Sequence, residues 1–300
     1  MSTQKITSHL SKITSHLSSS SASNLSSHLA SRLLLWLILA VVLINGLFPV
    51  LWIFFTSLKT EVELAATPIT WLPEQASLAN YRQAFSEQPL LLFLGNSVAI
   101  ALLSALLALV ISIGAAYAFV RLALPKAGWL LVGLIALAMC PPATLQVPLF
   151  EMMRALGLLN TWLALILPNT VLSLPVCILV LMAFFKSLPE SLEQAAMLDG
   201  CSRLGALWRI VLPLSLPGVI TAGTLAFVNA WDEFLFALVL NAAPENRTLP
   251  VGILFYQGEY TFPWPLISAA LIVGILPLVV LIALSQQRLV GNLTAGGMKG

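Results

Sequence analysis

Few side chains in this sequence could do chemistry. The three histidines, His9, His16 and His28, all fall in the first 31 residues. The cysteines, Cys140, Cys177 and Cys201, are far apart and form no CxxC pair, so neither a zinc site nor a disulfide framework is expected. Neither an HExxH zinc motif nor a phosphate-loop lysine motif occurs. What remains is a small set of acids in apolar surroundings. Glu193 and Asp199 belong to "EQAAMLDG" (193–200), beside Gln194 and Gly200, and Asp232 and Glu233 to "WDEFLFAL" (231–238). A carboxylate at the bilayer centre costs roughly 2.5–3.5 kcal/mol on insertion scales. Asp232 and Glu233 are therefore expected at an interface or facing a pore, as part of a translocation path or a gate. No catalytic residue, metal site or cofactor-binding residue is expected.

The elements that must position these acids are membrane helices. Hydrophobic residues make up 59% of the chain and charged ones 9%, against about 25% charged in a soluble domain. The formal net charge of +2 gives no case for nucleic-acid binding. Charge-free apolar runs predict six spans, at about 33–58, 91–120, 128–148, 162–185, 212–236 and 264–285. Pro141 and Pro142 sit inside the third and are expected to be tolerated there. The core of the membrane domain would run over about 91–285, within a domain of 32–300.

Residues 1–31 are set apart. "KITSHLS" occurs at 5–11 and again at 12–18, and the stretch is Ser-rich, which predicts a disordered tail and not a cleavable signal peptide. Six spans place both termini on one side. If that side is the cytoplasm, only Lys59, Arg82, Arg154 and Arg247 of the fourteen Lys and Arg residues lie outside. The positive-inside rule favours that orientation. Trp162, Trp231 and Trp264 fall near outer boundaries and read as an aromatic belt.

The 193–200 stretch then lies on the inner side. "SLPE" (187–190) fits a capping box, with Ser187 as N-cap and Glu190 three residues on. Gly200 is placed to end the helix in a left-handed conformation, and Ser202 to cap the next one. Leu204, Leu207, Trp208 and Val211 form an i, i+3, i+4, i+7 stripe. The loop at about 187–213 is thus read as a helix–turn–helix. Such a segment can dock into a partner or lie along lipid headgroups.

"EQAAMLDGCSRLGALWRIVLPLSLPG" resembles the EAA loop of ABC-importer membrane subunits. Ala195, Ala196, Gly200, Ile210, Leu212 and Pro213 match its pattern, whereas Gln194 stands where that family has glutamate, with Glu193 beside it. Further stretches, "SLKTEVELAATPITWLPEQASLANYRQAF" (57–85), "NSVAIALLSALLALVISIGAAYAFVR" (96–121), "VPLFEMMRALGLLNT" (147–161), "WDEFLFAL" and "LTAGGMKG" (293–300), resemble the maltose-type, carbohydrate-uptake permeases, in their six-span subunit. Similar permeases more often have Trp-Asn-Glu-Phe where this chain has Trp231, Asp232, Glu233 and Phe234.

The resemblance implies an all-α membrane protein of type I importer permease fold in a bacterial inner membrane. It implies a second, homologous permease subunit, two copies of a cytosolic ATPase that use the ATP, and an external solute-binding protein. The loop at 187–213 would be the coupling helix, with Glu193, Gln194, Ala195, Ala196, Asp199, Gly200, Ile210, Leu212 and Pro213 coupling to the ATPase. The solute would be a sugar or sugar-like compound. A non-sugar solute, such as a phosphorylated polyol or an amino-acid derivative, is the alternative. A secondary transporter would normally show paired repeats, and none is evident in residues 32–300.

Overall fold

The structure, a computed structural model, describes residues 32–122, 124–125, 127–258 and 261–293, with side chains up to Ser285 in the last stretch. The histidine-bearing tail, Lys126, the Arg288 side chain and residues 294–300 lie outside this description. All regular structure among the described residues is helical. The chain divides into two units between Phe55 and Thr56. Helix α1 (Arg32–Ser57), most of which lies in the first unit, is apolar and long enough to cross a bilayer. Within it Phe48 stacks on Trp52 with ring centroids 6.2 Å apart.

The second unit opens with α2 (Glu61–Leu64) and α3 (Ala79–Glu87). Polar side chains hold this connecting region together. Lys59 is buried and its Nζ donates to the carbonyl and hydroxyl of Thr70. Asn80 Nδ2 donates to the carbonyls of Ser57 and Lys59, each at 2.8 Å.

The bundle follows: α4 (Leu90–Arg121), α5 (Ala127–Ala138), α6 (Gln146–Ala155), α7 (Trp162–Ser187), α8 (Glu190–Leu198), α9 (Arg203–Ala206), α10 (Leu212–Leu214), α11 (Leu216–Trp231), α12 (Leu235–Leu240), α13 (Leu249–Leu254) and α14 (Trp264–Leu293). Helices α4, α7 and α11 pack on one another, and α14 packs on α11 and α3. Their contact faces explain the close approach. In α11 the buried positions Gly218, Ala222, Ala226 and Ala230 recur every four residues, and α4 buries Ala101, Ser104, Ala105, Ala108, Ser112 and Ala116. Such small-residue stripes let membrane helices come together without a hydrophobic driving force.

Gly218 shows how tight the fit is. A Cβ there would overlap the Phe184 ring and lie 2.9 Å from the Phe184 Cβ. Gly218→Ala is accordingly expected to destabilise the bundle by about 1–3 kcal/mol, the usual cost of overpacking. The thermal midpoint of the purified protein in detergent measures it.

Three expectations about the spans and their boundaries change. The third span is not one helix. Helix α5 and the segment Pro142–Ala155 meet at 93°. Two successive prolines remove two N–H donors and push the residue before each out of the α region, so the chain turns through a short 3-10 stretch at Pro142–Leu145. The fifth span, expected at 212–236, likewise breaks. Arg203–Leu214 meets α11 at 81°, α11 ends at Trp231, and α12 begins at Leu235. Among the described residues four helices are long and apolar enough to span alone, and up to six spans are reached when each bent pair counts as one.

Trp231 is buried rather than part of a belt and stacks on Phe227 at 5.8 Å. Trp162 and Trp264 are exposed as expected of belt residues.

Candidate functional site

Helix α8 carries four of the nine candidate coupling residues, Glu193 to Ala196, and Asp199 and Gly200 follow directly at its end. It begins at Glu190, with Pro189 as N-cap and no side-chain cap. The capping box at Ser187 is not formed, because α7 runs through Ser187 and its Oγ donates back to the Phe184 carbonyl at 2.7 Å. A hydroxyl committed to its own helix has nothing left for the next one.

The exit from α8 is as expected. Gly200 has φ +88°, its N–H reaches the Met197 carbonyl at 3.1 Å, and the Cys201 N–H reaches the Ala196 carbonyl at 2.9 Å. This left-handed closure satisfies carbonyls that the helix end leaves open. Ser202 then caps α9 by accepting from the Gly205 N–H at 3.1 Å.

The stripe beyond Ser202 is not one face. Leu207 and Val211 are buried, while Leu204 and Trp208 are 67% and 60% exposed. A π-turn at Leu207–Val211 rotates the side chains apart, with the Leu212 N–H bonded to the Leu207 carbonyl. Pro213 has no N–H for the carbonyl four residues back, so a regular ladder cannot continue there.

The structure sorts the candidate residues. Gln194, Ala195, Asp199, Gly200 and Pro213 are exposed; Ala196, Ile210 and Leu212 are half-buried. Leu198 on the same loop is 89% exposed. Glu193 alone points inward. Its Oε1 accepts from Arg121 Nε at 2.6 Å and its Oε2 from the Tyr117 hydroxyl at 2.9 Å. Arg121 also donates through Nη2 to the carbonyls of Phe185 and Leu188, at 3.0 and 2.9 Å. Its Nη1 lies 3.7 Å from Glu190. Sequence reasoning missed Arg121 and Tyr117. Their only trace is the last turn of "GAAYAFVR", over 70 residues upstream of Glu193.

At the other candidate site, Asp232 and Glu233 are brought together but have different tasks. Glu233 accepts from the N–H groups of Phe236 at 2.6 Å and Ala237 at 2.9 Å. It thereby satisfies the open donors of α12 and holds the break between α11 and α12. Asp232 is exposed. Both line a cavity of about 470 Å³ with Asn169, Asn229, Pro142 and Phe234. Asn229 Nδ2 donates to Ser173 Oγ at 3.2 Å. The cavity mixes carboxylates and amides with apolar walls, a combination that suits a hydroxylated solute. Among the described residues no group of His, Cys, Asp and Glu side chains could hold a metal ion.

A family model described as the inner membrane component of binding-protein-dependent transport systems matches residues 31–293. The chain belongs to this family. Its relatives include the sulfoquinovosyl glycerol transport system permease of Agrobacterium fabrum, 60% identical over 92% of this chain and 97% of that one. The trehalose transport system permease of Mycobacterium tuberculosis is 37% identical over 90% of this permease and 99% of its own length. The trehalose/maltose permease of Thermococcus litoralis is 35% identical over 90% and 97%. The fold of a bacterial ABC transporter involved in the import of the polysaccharide alginate superposes with a TM-score of 0.70 at 19% identity, covering 84% of this permease and 93% of that chain. The all-α importer-permease fold follows, and the permease is an inner membrane component.

Proposed function

We propose that this permease carries a sugar-like solute through the inner membrane, and that the solute class is a glycoside joining a sulfonated sugar to glycerol. The observation that carries this reading is the 60% identity, along nearly the whole of both chains, to the permease of the sulfoquinovosyl glycerol system. The permease would work with a second permease subunit, two ATPase subunits that hydrolyse the ATP, and an external binding protein. Both termini would face the cytoplasm. Helix α8 would seat in the ATPase, with Gln194, Ala195, Ala196, Asp199, Gly200, Ile210, Leu212 and Pro213 on or beside the contact. The exposed Leu198, Leu204 and Trp208 support docking into a partner.

Asp232 would face the path and Glu233 would hold the gate segment. A carboxylate accepts hydrogen bonds from hydroxyls and repels a sulfonate. The hydroxyl-rich part of the solute would then turn towards this subunit. Proteoliposomes holding the whole importer test the reading. Asp232→Asn is expected to raise the solute concentration for half-maximal uptake about tenfold, the worth of one charge-assisted hydrogen bond. An unchanged half-saturation would remove Asp232 from the path. Failure of the wild-type importer to take up the sulfonated glycoside would overturn the solute class.

A further inference from the structure

Glu193 is the only residue of α8 that is buried, and it is charged. A buried carboxylate is retained only when it is paired and its oxygens are satisfied. Both conditions hold. The Arg121 and Glu193 side chains are 9% and 6% exposed, and each Glu193 oxygen has a donor. The same guanidinium closes on the carbonyls of Phe185 and Leu188, at the end of α7, where a helix leaves acceptors open and favours a cation. One side chain therefore pins the last turn of α4, the last turn of α7 and the first half of α8.

The other connection of α8 to the bundle is built differently. It runs through the turn at Gly200, the four-residue α9, the π-turn at Leu207–Val211 and an 81° bend before α11. That route contains the irregular backbone at which helices bend.

We propose that Arg121 and Glu193 form the stiff link of the coupling loop, so that movement of α8 is passed to α4 and α7 as one body while the α9–α11 segment flexes. Arg121, Glu193 and Tyr117 are then positioning residues. They touch neither solute nor nucleotide, and they fix the angle at which α8 leaves the bundle. Arginine is needed because a lysine ammonium lacks the planar fork that reaches the carboxylate and two carbonyls together. The proposal rests on the importer reading above.

The test uses the complete importer in proteoliposomes, with solute uptake and ATP hydrolysis measured in the same vesicles. In Glu193→Gln and Arg121→Lys the solute carried per ATP hydrolysed is expected to fall about tenfold, within the range over which coupling residues act. A purely structural defect would reduce both quantities together and leave their ratio unchanged. The second measurement places spin labels at Ser191 on α8 and Leu122 beyond α4, in a variant lacking Cys140, Cys177 and Cys201. The interspin distance is expected to be the same with and without ATP in the otherwise wild-type chain, and to change with ATP once Glu193→Gln is added. A wild-type ratio in both variants, or an α8–α4 distance that changes with ATP before the link is cut, would overturn the proposal. Uptake by wild-type vesicles without ATP would instead defeat the importer reading on which it stands.

Discussion

Truncating Glu193 to alanine is expected to destabilise the membrane domain by about 3–5 kcal/mol, the usual result of leaving a buried charge without its partner. Arg121 keeps its two carbonyl acceptors but loses the carboxylate 2.6 Å away. The Tyr117 hydroxyl loses its acceptor too. Glu190, 3.7 Å from Nη1, remains but is largely exposed, so the cost falls on the poorly paired buried guanidinium more than on the missing attraction. Replacing both members, Arg121→Met with Glu193→Leu, is therefore expected to recover part of the stability, since the unpaired buried charge is gone while the Phe185 and Leu188 carbonyls and the Tyr117 hydroxyl still lose their partners. Thermal unfolding of the purified complex measures both variants. Equal losses in the single and double variants would mean that the ion pair is not the source of the cost.

Gly200→Val is expected to uncouple the importer, with uptake falling about tenfold while the subunit still inserts and assembles. The physical basis is narrow. An added Cβ at Gly200 would meet nothing within 4 Å, so crowding is not the cause. The backbone is at φ +88°, where a β-branched residue is strained by about 1–3 kcal/mol. The turn would relax away from this conformation, and the two bonds that close it, from the N–H groups of Gly200 and Cys201, would be lost. Helix α8 would keep its link to Arg121 but leave α9 at another angle. Uptake per assembled complex, counted by quantitative immunoblotting, is the measurement. Wild-type uptake would remove Gly200 from the mechanism.

Gly200, Ser202 and the run of α4 could be read from the sequence because their causes are local. A left-handed cap needs glycine, a hydroxyl at the start of α9 finds an N–H three residues on, and a charge-free run of the right length forms a membrane helix. Ser187 misled for a related reason. Its spacing to Glu190 suits a capping box, but a hydroxyl at a helix end has two possible partners, and the sequence does not say that α7 continues through it. The bend in the third span is not legible from its length and hydropathy, which treat Pro141 and Pro142 as tolerated within one run. Two adjacent prolines leave too few donors to carry the ladder across, and the chain turns by 93°. The inward face of Glu193 could not be read locally. Its partners come from the far end of α4, and only packing of α4 against α7 brings them within reach. Asp232 and Glu233 are adjacent in sequence and line the same cavity, yet the break after Trp231 leaves Asp232 exposed and commits Glu233 to the N–H groups at the start of α12.

The account depends on this permease being driven by a partner that burns ATP. The most direct measurement is uptake of the sulfonated glycerol glycoside into proteoliposomes that hold both permease subunits and the external binding protein, with the ATPase subunits present or omitted. Uptake that requires the ATPase and enclosed ATP is the predicted result. Uptake at the same rate without the ATPase would contradict the account.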